Sequence, residues 1–291
     1  MFAGFEERML SVSGAEIHCR VGGGGDPVLL LHGFPQTSAM WHRVAEELAG
    51  TYTVVAPDLR GYGRSLAHDH DFTFRAMGND MAEVMTQLGH ERFDVVGHDR
   101  GARVTHRMAL DHTSRLRSVT LLDILPTLDV WESMDGWLAR RYYHWSFLGQ
   151  ATDLPRILVG ARPMEFFSAS MQGLSAGPID FVAPLAMQEY AEAAVRPTVI
   201  DAWCGDYLAA ATTDLDHDQA DLGRMLPQPC LVMWGSRGVV GKHLDPVSRW
   251  QRWFPHASGQ EVTAGHFLVE EAPQVVLPVL RDHLQRAAGA Y

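Results

Sequence analysis

The sequence predicts an α/β fold in which helices cover both faces of a mostly parallel β-sheet, with one helical insertion. Over the first 125 residues, apolar runs of strand length alternate with segments of helical periodicity. From about residue 127 to residue 225 no strand pattern is clear, and strands resume near residue 230. Because alternating strands and helices form parallel sheets, we expect a core of residues 1–126 and 226–291 and a helical cap of residues 127–225.

The predicted strands are short apolar runs that end in turn-forming residues, namely Val28–Leu31, Tyr52–Ala56, Phe93–Val96, Val119–Leu122, Cys230–Trp234 and Gln260–Thr263. Apolar residues at helical spacing predict a helix over 41–48 with Ser38 as its N-cap. A second helix over 74–88 ends at Gly89, and a last helix covers 275–284.

Composition and charge exclude several classes of protein. The chain has 291 residues, of which 46% are hydrophobic, and its 35 acidic and 24 basic residues give a net charge of −11. Such an acidic chain is poorly suited to nucleic acid, because phosphate contacts need clustered Lys and Arg. No apolar run approaches the roughly 18 residues of a membrane span, and the N-terminal segment does not follow the pattern of a signal peptide. We therefore expect a cytoplasmic protein that binds neither nucleic acid nor membranes.

The sequence offers no convincing metal or cofactor site. The cysteines Cys19, Cys204 and Cys230 are scattered without CxxC spacing, which is typical of reduced thiols rather than a zinc site. The acidic stretch Asp214–Asp218 lacks the glycine turn of a calcium loop. Gly22–Gly25 lacks the lysine of a phosphate-binding loop. We expect neither a metal nor a cofactor.

The strongest chemical signal follows the strand Phe93–Val96 and reads Gly97-His98-Asp99-Arg100-Gly101. A strand, a Gly-x-x-x-Gly turn and a helix form the pattern that places a nucleophile at a strained corner, here Asp99 in the position where esterases have serine. A carboxylate at this corner can attack a carbon centre and form an ester. The alternative, in which Asp99 only caps the helix, does not explain both glycines.

Candidates for the rest of the catalytic apparatus lie at the carboxyl ends of other strands. His266 follows the last predicted strand, where this type of sheet places its catalytic base. Asp123 follows the fourth strand and is the candidate partner that orients His266, with Asp245 as the alternative. The backbone N–H groups of Phe34 and Arg100 are candidates for an oxyanion hole.

Arg100 and Arg103 lie one helical turn apart at the start of the helix that follows Asp99. Two cations at a helix N-terminus oppose the helix dipole. We therefore expect a compensating anion, partly Asp99 itself and partly the carboxylate of a bound ligand, which an arginine can hold with two hydrogen bonds. The alternative is that the two arginines form surface ion pairs with Asp58 or Asp111.

These motifs match one known family, in the segments Leu30–Thr37, Gly97–Arg103, Leu122–Pro126, Tyr143–Leu148 and Gly265–Phe267. On these segments the chain resembles the fluoroacetate dehalogenases of the α/β-hydrolase fold, over nearly its whole length. His32-Gly33-Phe34-Pro35 and the turn at Asp99 are shared with epoxide hydrolases. The Asp-Arg-x-x-Arg run together with His144-Trp145 is more specific, because epoxide hydrolases typically have Trp where this chain has Arg100.

The resemblance implies an α/β-hydrolase fold with a helical cap, and hydrolysis of short 2-haloacids such as fluoroacetate to a 2-hydroxy acid and halide. By resemblance, Asp99 is the nucleophile that forms the ester, His266 is the base and Asp123 is its partner. Arg100 and Arg103 bind the carboxylate of the haloacid substrate. The family also suggests a homodimer.

The resemblance further implies that His144, Trp145 and Tyr207 bind the departing halide. Without the resemblance, an aromatic core pair of the cap is an equally good interpretation of His144 and Trp145. The cap of this family commonly carries a further Trp in the substrate pocket, but Met171–Gly177 contains none. The preference among fluoride, chloride and bromide is therefore open.

Two alternative functions remain at the level of sequence. An epoxide hydrolase would use the same Asp99 and His266, with cap tyrosines that protonate the epoxide oxygen, chosen from Tyr142, Tyr143, Tyr190 and Tyr207. A receptor that binds a small molecule without catalysis would use the same fold. Such receptors tend to lose a catalytic residue, whereas Asp99, Asp123 and His266 are all present.

Overall fold

A computed structural model of the chain describes residues 1–243 and 245–288. Its strands are β1 Glu6–Val12, β2 Ala15–Gly23, β3 Asp26–Leu31, β4 Tyr52–Pro57, β5 Leu66–Ala67, β6 Phe93–His98, β7 Leu116–Leu122, β8 Cys230–Gly235 and β9 Ser258–Val262. They form one sheet in the order β1-β2-β4-β3-β6-β7-β8-β9, and β5 pairs with β2. β3, β4 and β6 to β9 pair in parallel, whereas β1 and β5 pair antiparallel with β2, and β2 pairs antiparallel with β4.

The α-helices, in chain order, are α1 His42–Leu48, α2 Phe74–Gln87, α3 Arg100–Asp111, α4 Thr127–Glu132, α5 Gly136–Arg141, α6 Tyr143–Leu148, α7 Leu154–Ala161, α8 Pro163–Leu174, α9 Pro184–Ala194, α10 Pro197–Ala210, α11 Thr213–Ala220, α12 Val240–His243, α13 Pro246–Gln251, α14 Leu268–Glu271 and α15 Pro273–Ala288. α2 packs against α3, and α1 packs against α15, so helices cover the sheet as two groups. The mostly parallel sheet between layers of helices is the architecture that the sequence predicts.

The central strands form where the sequence has uninterrupted apolar runs. The side chains of β3 from Val28 to Leu31 are fully buried, and every residue of β6 is buried. A strand that is apolar on both faces is stable only when helices cover both sides of the sheet. Because β3, β6 and β7 pair in parallel, their carboxyl ends lie at one edge of the sheet, where the loops that follow them meet.

The structure differs from the predicted elements in three details. The sequence does not predict the antiparallel hairpin of β1 and β2, because β1 exposes most of its side chains and carries no apolar run. Ser38 is not a cap: Thr37 accepts the N–H of Ala39 at 3.2 Å and adopts the extended backbone that capping requires. The last strand, β9, starts at Ser258 rather than Gln260. The apolar pattern does not indicate this start, because the first residues of the strand are exposed.

Between β7 and β8 the described chain is helical, from α4 to α11. This segment leaves the sheet at the carboxyl end of β7, and its helices contact the core through α9, α10 and α11. We retain the division into a core and a cap of residues 127–225 as a proposal. Within the described ranges, no helix combines the length and the apolar character that crossing a lipid bilayer demands.

Two glycines allow the sharp turn between β6 and α3. A methyl group on Gly101 would lie 2.4 Å from the carbonyl oxygen of His32, and one on Gly97 would lie 2.4 Å from the carbonyl oxygen of Gly101. These are backbone atoms, so a side chain at Gly101 displaces the chain that leads to Phe34, and one at Gly97 displaces the start of α3. The turn residue Asp99 is thereby held close to the loop after β3.

Gly101→Ala should therefore destabilise the protein by about 1–3 kcal/mol through overpacking. The matched control is Gly160→Ala in α7, where a methyl group meets no atom within 4 Å and should add about 0.5–1 kcal/mol of stability. Urea unfolding of both variants measures the difference. Equal effects of the two substitutions would contradict the close approach at Gly101.

Candidate active site

Asp99 sits at the corner between β6 and α3 with φ 46° and ψ −114°, a conformation that residues with a Cβ rarely adopt. Its two carboxylate oxygens lie in different surroundings. Oδ1 accepts the backbone N–H of Phe34 at 2.9 Å, whereas Oδ2 lies 3.7 Å from His266 Nε2. Oδ1 is thus fixed by a hydrogen bond, and Oδ2 is the oxygen that faces the histidine.

The second predicted donor of the oxyanion hole is the backbone N–H of Arg100, the first residue of α3. The first N–H groups of a helix have no partner within the helix. Phe34 already donates to the candidate nucleophile in the structure. The role of both groups as an oxyanion hole stays a prediction.

His266 is connected to Asp123 by a hydrogen bond of 2.6 Å between Nδ1 and Oδ2. The other oxygen of Asp123 accepts the backbone N–H of Gly235 at 2.9 Å, which fixes the carboxylate. The alternative acid, Asp245, instead caps α13 by accepting the N–H of Val247 at 3.1 Å. The structure therefore brings Asp99, His266 and Asp123 together and places Asp245 elsewhere.

The charges of this group shift its pKa values in useful directions. Burial alone would raise the pKa of Asp99, but the charges of His266 and Arg100 outweigh it and lower that pKa to about 2. Burial lowers the pKa of His266, yet the hydrogen bond and charge of Asp123 outweigh burial, and this pKa is raised above its usual value. Asp99 is therefore ionised at neutral pH without the help of a base.

A second carboxylate holds the loop around His266, and the sequence reasoning missed it. Glu271 accepts the backbone N–H of Gly265 at 2.7 Å and that of Phe267 at 3.1 Å, one on each side of the histidine. The ring of His98 is hydrogen-bonded through Nε2 to the carbonyl oxygen of His266 at 2.8 Å. Because each of these hydrogen bonds has a backbone group as one partner, the pattern of residue types does not predict them.

Arg100 forms a buried ion pair with Asp206 of α10. Its Nε donates to Asp206 Oδ2 at 2.9 Å, its Nη2 donates to the backbone carbonyl at 3.1 Å, and Nη2 also contacts Oδ1. Both side chains are fully buried, and the hydroxyl of Tyr62 donates to Asp206 Oδ2 at 2.6 Å. Burial lowers the pKa of Arg100, but the charge of Asp206 outweighs burial and raises it.

This ion pair corrects the expectation for the two arginines. The alternative of surface pairs is wrong, because Asp58 accepts the N–H of Ser38 and Asp111 pairs with Arg75. The anion that compensates Arg100 is the side chain of Asp206 in α10, which the sequence does not indicate as a partner. The available signal was Asp206 within the otherwise apolar residues 202–210 of α10, since buried acids need a partner.

Arg103 has no such carboxylate within the part of the chain that the structure describes. Its Nη1 donates to the carbonyl oxygen of Leu125 at 3.1 Å and to the hydroxyl of Thr127 at 3.0 Å. Its guanidinium lies 4.5 Å from the centre of the Trp145 ring. Burial, and then the charge of Arg100, lower the pKa of Arg103 to about 10, so it stays charged at neutral pH.

Each arginine keeps one buried nitrogen without a hydrogen-bond partner among the described residues: Arg100 Nη1 and Arg103 Nε. An unpaired buried donor costs about 1–3 kcal/mol, and more when the group is charged. Both guanidinium groups also approach the ring of Trp145, at 5.5 and 4.5 Å from its centre. An anion bound beside this ring would satisfy donors that the protein leaves unused.

The three residues predicted to bind halide line a buried aromatic wall next to Phe34. The ring of His144 is stacked on Phe34 with centroids 5.8 Å apart, and Tyr207 meets Phe34 edge-on at 5.3 Å. Trp145 and Tyr207 are 5.9 Å apart. Burial lowers the pKa of His144 to about 3, so its ring is neutral and carries one N–H donor. The structure brings the three side chains together; their role as halide ligands stays a prediction.

The structure offers little for a metal. Within residues 1–243 and 245–288, no group of three or more His, Cys, Asp or Glu side chains is arranged to hold an ion. In the stretch Asp214–Asp218, the carboxylate of Asp214 accepts the N–H of Phe74 at 3.0 Å. That carboxylate therefore ties α11 to the start of α2.

Comparison with known proteins identifies the family of the chain. A family model described as alpha/beta hydrolase fold matches residues 26–273. The chain is 42% identical to a fluoroacetate dehalogenase from Burkholderia sp., over 99% of this chain and 96% of that protein. It is 29% identical to a soluble epoxide hydrolase from Corynebacterium sp., over 91% of this chain and 92% of that protein. A crystal structure of a protein assigned as an α/β hydrolase, from Nostoc sp. PCC 7120, superposes with a TM-score of 0.95 at 43% identity and covers 98% of this chain and 99% of that chain.

These comparisons confirm the predicted α/β-hydrolase fold and the resemblance to the fluoroacetate dehalogenases. They leave the roles of the individual site residues as predictions. One of these, the pairing of His266 with Asp123, can be tested through the pKa of His266.

Asp123→Asn should lower the pKa of His266, because the substitution removes the negative charge that opposes the effect of burial. Titration of the His266 ring by NMR measures the change. The control is Asp245→Asn, which removes the same charge from the N-cap position of α13. This substitution should leave the titration of His266 unchanged. Identical titrations in both variants would contradict the coupling of His266 to Asp123.

Proposed function

Since the chain belongs to the α/β-hydrolase fold family and is a relative of fluoroacetate dehalogenase, we propose that it hydrolyses the carbon–halogen bond of short 2-haloacids. The products are a halide ion and a 2-hydroxy acid. The substrate is a small anion, and no cofactor takes part.

One observation carries the proposal: an ionised, buried carboxylate lies at the start of a helix whose first turn holds two buried guanidinium groups. Arg100 is already compensated by Asp206, so it does not need Asp99 as its counter-ion. Arg100 Nη1 and Arg103 Nε have no partner among the described residues, and the carboxylate of a haloacid matches these donors. The substrate would then be held with its α-carbon next to Asp99.

In the first step, Asp99 Oδ2 attacks the α-carbon from the side opposite the halogen. The new carbon–oxygen bond forms as the carbon–halogen bond breaks, and its electron pair leaves with the halide. We propose that the N–H groups of His144 and Trp145 and the hydroxyl of Tyr207 replace the water around the halide. Halide is most charged in the transition state and product, so donors placed there favour the step.

In the second step, His266 Nε2 takes a proton from a water molecule, which attacks Cγ of the Asp99 ester. Negative charge develops on Oδ1, which already accepts the N–H of Phe34; the N–H of Arg100 is the proposed second donor. Collapse of this intermediate breaks the bond between Cγ and the ester oxygen, and protonated His266 returns its proton to that oxygen, so the 2-hydroxy acid is released. The carboxyl group of Asp99 then loses its proton to solvent, because its pKa is lowered to about 2.

The ester also prepares the base for its task. The charge of Asp99 is one of the influences that raise the pKa of His266. Formation of the ester removes that charge, so the pKa of His266 falls just when a neutral imidazole is required. The first step, which needs no base, therefore favours the protonation state that the second step uses.

An epoxide hydrolase is the second candidate function, and the Corynebacterium relative favours it. It would use the same Asp99 and His266, with the hydroxyl of Tyr207 or Tyr142 as the acid. Two buried guanidinium groups suit an anionic substrate better than a neutral epoxide. A receptor without catalysis has less support, because His266 lies between Asp99 and Asp123, at 3.7 Å from the first and hydrogen-bonded to the second.

We further propose that the protein is cytoplasmic and forms a homodimer. Leu154, Ile157 and Leu158 of α7 expose 50–63% of their surface on the cap. An exposed apolar cluster of this kind is typical of an interaction surface. A second copy of the chain is the partner that the family suggests.

The direct test is halide release from fluoroacetate, chloroacetate and bromoacetate side by side, with diol formation from an aryl epoxide measured in parallel. We expect halide and no diol. His266→Ala should release about one halide per active site from chloroacetate and then stop with an ester on Asp99, because removal of the base blocks only the second step. Peptide mass spectrometry locates the adduct.

The control for nonspecific alkylation is the double variant Asp99→Asn/His266→Ala, which should carry no adduct at position 99. Diol without halide would favour the epoxide hydrolase. A wild-type protein that turns over neither substrate would favour the receptor.

A further inference from the structure

A small cavity in the cap adjoins the candidate active site. Its volume is about 90 Å³, and it lies between the end of α5, the start of α6 and the last turns of α8. A water molecule takes up about 30 Å³ in the liquid, so a small ion with little of its hydration fits. Arg140 and Arg141 line its outer side and are exposed, which opens the cavity toward solvent.

The inner side of the cavity touches the catalytic apparatus at two points. His144 lines it, and the same ring is stacked on Phe34, which donates its N–H to Asp99. Leu174 also lines it, and its carbonyl oxygen accepts the backbone N–H of His266 at 3.3 Å. His144 and Phe34 therefore lie between the cavity and Asp99, and Leu174 lies between the cavity and His266.

The lining has the chemistry of an anion site. It contains the guanidinium groups of Arg140 and Arg141, and no carboxylate among the described residues lines it. Neither arginine forms an ion pair with the described part of the chain, although Arg141 lies 5.6 Å from the centre of the Trp137 ring. The hydroxyl of Ser170, which is only 4% exposed, has no hydrogen-bond partner there.

This local positive charge contrasts with the rest of the molecule. The chain carries a net charge of −11, which repels any small anion that approaches. A cleft of the opposite sign concentrates such ions and raises their rate of association by ~10-fold or more. In an enzyme with an anionic substrate and two anionic products, such a cleft would speed the binding of these ions.

We propose that this cavity is an anion port, in which a small monovalent anion binds at Arg140, Arg141 and Ser170 on its way to or from Asp99. The anion is the haloacid entering or the halide leaving, and this assignment to substrate and product rests on the proposed function. His144, which lies between the port and Phe34, is the residue past which the anion moves.

The test uses Arg140→Gln/Arg141→Gln in the full chain, with Arg8→Gln/Arg162→Gln as the control. The control removes the same charge from two exposed arginines that do not line the cavity. Quenching of tryptophan fluorescence by bromide is compared with quenching by neutral acrylamide, because the ring of Trp137 lies 5.6 Å from Arg141 and Trp145 follows the lining residue His144 in α6. We expect the ratio of bromide to acrylamide quenching to fall about twofold in the port variant only.

A second readout is turnover of bromoacetate at low ionic strength. In the port variant kcat/KM should fall about fivefold with kcat unchanged, and added salt should narrow the difference. Equal quenching ratios in port and control variants would overturn the anion site. A kcat/KM equal to that of the control, or an equal fall in kcat, would overturn its role as a port. If the wild type releases no halide, the proposed function fails, and the quenching ratio alone decides the anion site.

Discussion

The buried ion pair between Arg100 and Asp206 is the interaction on which the candidate site depends. It joins the first turn of α3, in the core, to α10, in the inserted helices. Loss of one partner of a buried pair leaves an uncompensated charge and typically costs about 3–5 kcal/mol. The pair also leaves Asp99 available. Arg100 is the neighbour of Asp99 in the chain, and Asp206 gives it a counter-ion other than Asp99.

The second constraint is the fixed backbone around the carboxylate. The strained conformation of Asp99 and the close approach at Gly101 set where the side chain points. One oxygen is then held by Phe34 and the other faces His266. In the proposed mechanism, this arrangement fixes the attacking oxygen and the future oxyanion before substrate binds, which lowers the cost of reorganisation during the reaction.

The parts of the molecule that local patterns determine could be predicted from the sequence. The strand cores at Val28 and Phe93 follow from uninterrupted apolar runs, and Asp99, Asp123 and His266 follow from their positions after strands. The pairing of Arg100 with Asp206 could not be predicted, because the two residues are 106 positions apart and only the packing of the inserted helices brings them together. The role of Glu271 could not be predicted for another reason: it accepts hydrogen bonds from backbone N–H groups, which every residue except proline carries.

The central claim is that Asp99 itself forms an ester with the substrate. It is tested most directly by a single turnover of chloroacetate in water enriched in heavy oxygen, with enzyme in excess. Because water attacks Cγ of Asp99 and not the substrate carbon, the first 2-hydroxy acid should carry ordinary oxygen, and the heavy isotope should appear in the carboxylate of Asp99. Heavy oxygen in the product of the first turnover, with none in Asp99, would contradict the account.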